Sequence, residues 1–350
     1  MIQQQRLIDE FFELVRTDSE TRDERAICDL LKTKFASLGL SVEEDDTAAK
    51  TGHGAGNLFA VWQATPGMED VAPFLFTCHM DTVAPGRGIQ PRIDDDGFIR
   101  SDGTTILGSD DKAGLAALLE AIRVVKERNI PHGRIQFVIT AGEESGLVGA
   151  RAMDPARLDA KYGFALDSDG KIGEICTAGP SQMKMRITVK GKAAHAGVNP
   201  QDGISAISVA AKAISRMPLG RIDHETTANI GRFEGGGATN VVPELAVITA
   251  EARSLVMEKL TAQVAKMREA FASAAEEFGA AFEFEEELLY PAYKFDDDAL
   301  VVRVAARAFE SLGIPWSTFP SGGGSDANVF NGLGVPTVNL AIGYENIHTT

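Results

Sequence analysis

The spacing of apolar residues divides most of the chain into helices and strands. Two amphipathic helices are predicted at 3–16 and 20–38, where apolar side chains recur every three or four positions. Further elements then alternate along the chain: strands at Asn57–Gln63, Pro73–Cys78, Ile135–Ile139 and Tyr162–Leu166, a short hairpin turning at Asp96–Gly97, and a helix at Lys112–Arg128. This alternation predicts a mostly parallel sheet covered by helices on both faces.

The pattern changes near Gly179. From Met183 to Val189, apolar residues alternate with polar ones, which predicts a strand with one wet face in an antiparallel sheet. A helix, two strands, a helix and a strand follow, at Ile204–Met217, Thr227–Phe233, Leu245–Arg253, Glu258–Phe278 and Ala281–Leu288. This order is the split βαβ, ferredoxin-like arrangement. After Pro291 the first pattern returns, with a helix at Asp298–Leu312 and a strand at Thr337–Ile342.

The fold class predicted from these patterns is α/β, with an inserted α+β domain. We place the first part of the main domain at 1–179, the insertion at 180–288 and the second part of the main domain at 289–350. A length of 350 residues supports this division, because single hydrophobic cores stop growing near about 250–300 residues.

Charge and cysteine content exclude several classes of protein. The net charge of −16 argues against a nucleic-acid partner, since phosphate-binding surfaces need clustered Lys and Arg. No apolar run approaches the roughly 18 residues of a membrane helix, and the first residues lack the apolar core of a signal peptide. Cys28, Cys78 and Cys176 lack the spacing of a disulfide framework or a thiolate zinc site. We therefore expect a cytoplasmic protein with no membrane partner.

Acidic residues and histidines follow the predicted buried strands or enter the helix between them. They are His79 with Asp81, Asp110 with Asp111, Glu143 with Glu144, Asp167, and His348. Taken singly, each has a simpler explanation as a helix cap, an acidic first turn, a turn residue or a surface histidine. Taken together, they all lie at the edge where open parallel sheets bind ligands.

Two histidines and three carboxylates of this kind suit a site for two divalent metal ions. Mixed nitrogen and oxygen ligands favour zinc, with manganese or cobalt as substitutes. Two ions about 3.5–4 Å apart would lower the pKa of a shared water and polarise the carbonyl that it attacks. A free carboxylate beside them would carry the proton, and either Glu143 or Glu144 could be that group.

Four segments resemble, in order and spacing, the co-catalytic metallopeptidases that include carboxypeptidase G and succinyl-diaminopimelate desuccinylase. The segments are Thr77–Val83, Leu107–Gly114, Gly142–Gly146 and Ala165–Asp167, and they are most similar to the peptidase T-like branch. The resemblance implies that the inserted domain is a lid and that the substrate is a small peptide. A tripeptide aminopeptidase is the first interpretation, and an N-acyl amino acid deacylase or a carboxypeptidase is the alternative. A metal-dependent binding protein without turnover is a further alternative, against which the intact Glu143 argues.

The resemblance also implies a role for each residue near the metals. The implied ligands are His79 and His348 on one ion each, Asp110 bridging both, and Glu144 and Asp167 completing the separate shells. Glu143 would be the general base, and Asp81 would orient His79. The Asp110–Asp111 peptide bond is expected to be cis.

Three residues of the predicted lid match substrate-binding positions of the family. His195 matches a histidine that steadies the oxyanion, Asn240 a substrate-binding Asn, and Arg253 an Arg that binds a carboxylate. Without the resemblance they would be a loop histidine, a turn former and the exposed end of a strand. Exposed lid strands could also pair two subunits into a homodimer.

The remaining candidates are a glycine-rich stretch and three histidines. Gly324 and Ser325 precede a short predicted helix whose N–H groups could meet a substrate carboxylate, although Ser325 could equally be only an N-cap. His53, His132 and His224 match no motif of the family, and we interpret them as structural or surface residues.

Overall fold

The computed structural model describes residues 2–350, which divide into two compact units. The first unit contains the chain up to Ala178, together with Phe295–Ser321 and Ser325–Thr350. The second contains Gly179–Lys294 and Gly322–Gly324. The second unit therefore continues beyond residue 288, where the predicted insertion ends, because its last long strand still pairs Tyr290 with Gln182.

Helices and strands alternate through the first unit. They are α1 (Gln4–Arg16), α2 (Arg25–Ser37), β1 (Ser41–Glu44), α3 (Thr47–Thr51), β2 (Leu58–Trp62), β3 (Phe74–His79), β4 (Arg92–Ile93), β5 (Ile99–Arg100), α4 (Ser109–Glu127), β6 (Ile135–Thr140), α5 (Val148–Ala152), β7 (Gly163–Ser168) and β8 (Glu174–Gly179). The second helix begins later than the predicted residue 20, because Glu20 and Thr21 pair with the extended backbone of Thr82 instead. The short elements β1, α3 and β8 were not predicted.

The second unit is a small sheet with two helices. Its elements are β9 (Ser181–Lys190), α6 (Ala206–Arg216), β10 (Gly220–Arg221), β11 (Thr226–Gly235), β12 (Leu245–Ser254), α7 (Met257–Phe278), β13 (Ala281–Tyr290) and β14 (Tyr293–Lys294). The strand order β10-β11-β12-β9-β13 is antiparallel throughout, which confirms the split βαβ prediction. Met185, Ile187 and Val189 are fully buried with α6 and α7, while Lys184 and Lys190 are exposed, as the alternation indicated.

The first unit resumes with α8 (Leu300–Ser311), β15 (Ser317–Pro320), α9 (Asp326–Gly332) and β16 (Thr337–Ala341). Its sheet has the order β1-β2-β6-β3-β7-β16-β8, and β15 pairs with β8. The four central strands β6, β3, β7 and β16 are parallel to their neighbours, whereas β1, β2 and β8 add antiparallel pairs toward the edges. The predicted mostly parallel sheet is therefore confirmed at its centre.

Two apolar clusters cover this sheet. The first joins α1, α2 and α4 to the strands, through residues such as Leu14, Phe35 and Leu119. The second joins α8 to β7 and β16, through Val302, Phe164 and Val338. Burial of these side chains holds the central strands in fixed register, so their carboxyl ends meet at one edge. Among residues 2–350, no helix has the length and apolar content needed to cross a membrane.

Candidate metal centre

The predicted ligands come together at the carboxyl edge of the four central strands. His79 is the last residue of β3 and lies opposite Thr140, the last residue of β6. Asp167 lies inside β7, which continues one residue beyond it to Ser168 instead of ending at the predicted Leu166. His348 belongs to the loop after β16. Adjacent parallel strands thus place residues from distant parts of the sequence side by side.

Asp110 lies between the two histidines. Its Oδ1 is 2.9 Å from His79 Nε2, and its Oδ2 is 3.2 Å from His348 Nε2. Asp110 and Asp111 have non-helical backbone angles at the start of α4, and the peptide bond between them is cis, as the resemblance implied. The regular helix then begins at Lys112, the residue predicted to start it. One carboxylate thus presents a different oxygen to each imidazole.

The other acidic residues complete two groups of potential ligands around this core. Glu144 Oε1 is 2.9 Å from His348 Nε2, and Asp167 Oδ1 is 3.6 Å from His79 Nε2. Ligand atoms of His79, Asp110 and Glu144 lie within 4.8 Å of one another, and so do those of His79, Asp111 and Asp167. Imidazole nitrogens with carboxylate oxygens at such spacing fit a site for divalent ions such as zinc.

The electrostatics of these groups support the same interpretation. Burial, together with the charge of Asp110, raises the pKa of Glu144 to about 7 and that of Asp167 to about 6. Burial acts in the same direction on Asp110, but hydrogen bonds from His348 and His79 hold its pKa below the usual range. The hydrogen bond to Asp110 raises the pKa of His348 to about 9. Several carboxylates crowded out of water favour a bound cation, because its charge would replace the protons that they otherwise need.

Asp81 is fully buried and holds the turn that carries the two glutamates. Its carboxylate accepts hydrogen bonds from Thr21 Oγ1 at 2.6 Å, from Glu143 N at 3.0 Å and from Glu144 N at 3.3 Å. His79 Nδ1 lies 2.9 Å from the main-chain oxygen of Asp81 but 3.6 Å from its carboxylate. The main-chain oxygen is therefore the hydrogen-bond partner that orients the His79 ring, and the carboxylate instead fixes the glutamate turn.

The two neighbouring glutamates have different surroundings. Glu144 is bonded to His348, whereas the Glu143 carboxylate has neither a hydrogen bond nor an ion pair within residues 2–350. Burial raises the pKa of Glu143 well above its usual value. The structure therefore separates a glutamate engaged with the ligand cluster from one whose carboxylate is uncommitted, a distinction that adjacency in the sequence could not make.

Sequence reasoning missed several residues that support this centre. Tyr344 Oη donates to Asp167 Oδ1 at 3.1 Å, and Asn339 brackets Asp167 through its main-chain N–H and C=O at 2.9 and 2.6 Å. Asp326 is buried and accepts a hydrogen bond from Thr140 Oγ1, and burial raises its pKa to about 7. Only Asp326 carried a signal, since it belongs to the glycine-rich stretch at 322–326.

A cavity of about 320 Å³ lies beside these residues in the first unit. Asp110, Glu144 and His348 line one part of it, and the hairpin of β4 and β5 contributes Arg92 and Arg100. This volume lies at the lower end of the range for small-ligand pockets.

The predicted lid residues belong to the second unit. His195 and Asn240 are exposed on neighbouring loops, where Ala196 N donates to Asn240 O at 2.9 Å and His195 pairs with Val241. Arg253 is half-buried, and Glu251 holds it through two hydrogen bonds, to Nε at 3.0 Å and to Nη2 at 3.3 Å. These contacts leave the predicted substrate roles as predictions.

Gly324 and Ser325 have distinct local roles. A Cβ atom at Gly324 would lie only 2.3 Å from the ring of Tyr290, so no larger residue fits there. Ser325 is the N-cap of α9 and forms a capping box with Asn328. The N-cap interpretation of Ser325 is thus confirmed, and contact of either residue with substrate stays a prediction.

Comparison with known proteins extends these observations. Residues 180–279 match the peptidase dimerisation domain, and residues 57–203 match peptidase family M28. The Bacillus subtilis (strain 168) protein YqjE is 57% identical over 349 residues, which cover 100% of this chain and 93% of that protein. The crystal structure of aminopeptidase PepT from Bacillus cereus is 61% identical, with a TM-score of 0.90 over 99% of this chain and 92% of that one. A tripeptidase from Staphylococcus aureus is 48% identical, with a TM-score of 0.94 over 100% of this chain and 92% of that one. The chain therefore belongs to the peptidase T-like family of co-catalytic metallopeptidases, and it is a peptide-hydrolysing enzyme.

Proposed function

We propose that the enzyme binds two divalent metal ions at the edge of the central sheet. The observation that carries this proposal is the position of Asp110, whose two oxygens face His79 and His348 separately. His79 and Asp167 would hold one ion, His348 and Glu144 the other, and Asp110 would bridge them. Zinc suits this donor set, and manganese or cobalt are substitutes.

The residues around the ions then divide the work of amide hydrolysis. When bound, the ions activate a water and polarise the carbonyl of the scissile bond. Glu143 takes the proton from the attacking water and delivers it to the leaving amine, because its carboxylate has no hydrogen-bond or ion-pair partner among residues 2–350. Asp81 holds the Glu143 main chain, and His195 steadies the developing oxyanion.

The proposed substrates are tripeptides with a free amino terminus. Two close structural neighbours support this choice, since one is an aminopeptidase and the other a tripeptidase. The cavity of about 320 Å³ suits a small peptide better than a folded protein. Asn240 would bind the peptide backbone and Arg253 its terminal carboxylate, with Gly324 and Ser325 nearby in the sequence as further contacts.

One substrate panel tests this proposal. The metal-free enzyme is reloaded with zinc, cobalt or manganese and offered a tripeptide, its N-acetyl form and its C-terminal amide. Release of the first residue from the free tripeptide, with little cleavage of the N-acetyl form, is the expected result. Preferred cleavage of the N-acetyl form would assign a deacylase or carboxypeptidase instead, and metal binding without cleavage of any peptide would indicate a binding protein.

We also propose a homodimer formed through the second unit, in the cytoplasm. The match of residues 180–279 to a peptidase dimerisation domain and the open edge of β13 support self-association. The three cysteines are unbonded and buried, which agrees with a reducing compartment. Analytical ultracentrifugation at micromolar concentration would test the dimer, and a purely monomeric species would contradict it.

A further inference from the structure

His53, which matches no motif of the family, lies against the turn that carries Glu143 and Glu144. It follows α3, and its side chain is almost completely buried. The ring nitrogen Nε2 is 3.0 Å from Ser145 Oγ, and Nδ1 is 3.0 Å from Thr51 Oγ1. One imidazole thus joins the end of α3 to a turn that lies far away in the sequence.

The contact with this turn is direct and closely packed. Gly142 has a positive φ of 71°, and a Cβ atom there would lie 2.5 Å from His53 Nε2. Glycine is therefore required at this position for two reasons, the backbone conformation and the approach of the ring. The ring rests on the residue that immediately precedes Glu143.

The hydrogen bond to Ser145 also has a defined direction. Ser145 Oγ donates its single hydrogen to Gly142 O at 3.0 Å, so it accepts the hydrogen bond from His53 Nε2–H. His53, Ser145 and the Gly142 carbonyl therefore form a chain of hydrogen bonds across the turn. Asp81 binds the N–H groups of the same turn through its carboxylate. The turn is held from two directions, by a carboxylate and by an imidazole.

We propose that His53 is a positioning residue for the metal centre, which acts by fixing the Gly142–Ser145 turn through Ser145 Oγ. This inference rests on the proposed roles of Glu143 and Glu144, because the turn determines where both carboxylates lie. Loss of the contact lets the turn move relative to His348, with which Glu144 is engaged. Such supports of metal ligands typically change metal affinity or activity by about 10- to 100-fold.

Two substitutions separate this role from a merely structural one. The amide nitrogen of glutamine occupies roughly the position of imidazole Nε2, and that of asparagine the position of Nδ1. His53→Gln therefore keeps a donor for Ser145, whereas His53→Asn keeps only the partner of Thr51. If His53 acts on the metal centre, the Asn variant is affected far more strongly than the Gln variant.

The measurements use the full chain loaded with cobalt or zinc. We expect His53→Asn to lower cobalt affinity and kcat/KM by about 10-fold or more, and to alter the visible absorption spectrum of the bound cobalt. We expect His53→Gln to stay within about threefold of the parent enzyme. His132→Gln is the control, since His132 packs on Trp62 at a ring distance of 4.0 Å and makes no printed contact with the turn. Equal affinities and spectra for the Asn and Gln variants, or a change confined to Tm, would overturn the proposal.

A double-mutant cycle identifies the bond through which His53 acts. Ser145→Ala removes the same hydrogen bond from the other side, so the effects of His53→Asn and Ser145→Ala on cobalt affinity should be strongly non-additive. Additive effects would show that His53 acts elsewhere. Because cobalt affinity is measured without substrate, these outcomes stay separate from the proposed tripeptidase activity. A parent enzyme that binds cobalt but cleaves no tripeptide refutes the activity alone.

Discussion

The carboxylate of Asp81 accepts a hydrogen bond from the main-chain N–H of Glu143 at 3.0 Å. Its second oxygen accepts from Glu144 N at 3.3 Å and from Thr21 Oγ1 at 2.6 Å. Residues that follow two different strands are joined in this way, and the bond fixes the glutamate turn relative to His79. Asp81 thus supports both the orientation of a proposed ligand, through its main-chain oxygen, and the position of the proposed base.

Asp81→Asn should lower kcat/KM by about 10- to 100-fold while the enzyme remains folded. The amide keeps one oxygen acceptor, but its NH₂ group faces an N–H donor, so one of the bonds to the turn is lost. Steady-state kinetics, with metal content measured on the same samples, test this expectation. Asp23→Asn is a suitable control, because Asp23 lies on the exposed surface near Arg87. Unchanged kinetics in Asp81→Asn would show that the turn needs no such support.

Glu143 and Glu144 should respond differently to the same substitution. Glu143→Ala should keep the metals but lose turnover by about 10²- to 10⁴-fold, because its carboxylate is the proposed proton carrier. Glu144→Ala should lose metal as well, since Glu144 is engaged with His348. Metal analysis of the dialysed proteins separates the two cases. Loss of metal in Glu143→Ala, or an unchanged hydrolysis rate, would contradict the assignment of the base.

His348→Ala should weaken one metal ion selectively. His348 is 47% exposed, whereas His79 is 1% exposed, so the ion near His348 has a more accessible ligand. We expect the stoichiometry at low free zinc to fall from about two ions to about one, with an increase in activity when zinc is added. Titration followed by calorimetry measures both ions. Two ions of unchanged affinity in His348→Ala would remove His348 from the ligand set.

The parts of the site that sequence predicted follow from simple geometry. The apolar runs before His79, Glu143 and Asp167 require buried strands, and parallel strands necessarily bring their carboxyl ends together. The individual roles came from the family resemblance, because no spacing rule distinguishes Glu143 from Glu144. The structure could separate them only through His348, which lies far away along the chain.

The parts that were missed depend on contacts between distant residues. His53 meets Ser145 across 92 positions, and nothing in the local pattern of either segment indicates the contact. The role of the Asp81 carboxylate was predicted incorrectly, because its distance from His79 is set by the path of the turn. Short elements such as β1 and α3 contain too few residues to establish a period.

Stability in acid should depend on Glu44. Two hydrogen bonds from Arg25, at 2.8 and 3.0 Å, are the main cause that lowers the pKa of Glu44 to about 2. Since the pKa is lower in the folded state, this contribution is present above about pH 4.5 and is lost as the pH falls through about 2. Its size is about 1–2 kcal/mol, because Arg25 is 44% exposed and the pair is partly screened.

Glu44→Gln should therefore lower Tm at pH 6 and have a smaller effect at each lower pH. Circular dichroism melts between pH 6 and pH 3 measure this difference. Glu43→Gln is the matched control, because Glu43 is the adjacent residue, is 70% exposed and pairs with Arg157 only at 3.3 Å. A difference between Glu44→Gln and the parent that stays constant with pH would show that the Arg25 pair does not titrate in this range.

Arg253 should distinguish substrates by their terminal carboxylate. Glu251 occupies Nε and Nη2 of the guanidinium, at 3.0 and 3.3 Å, so the edge that contains Nη1 is left for a ligand within the part of the chain described here. Arg253→Lys removes this planar edge but keeps the charge, and we expect it to raise KM for a free tripeptide by about 10-fold or more. The same change should leave KM for the tripeptide amide almost unaltered, because the amide has no carboxylate to bind. Glu251→Gln serves as the companion variant, since it releases the guanidinium without removing it, and should cause a smaller rise in KM for the free acid. Equal increases in KM for the acid and the amide in Arg253→Lys would show that Arg253 contacts another part of the peptide.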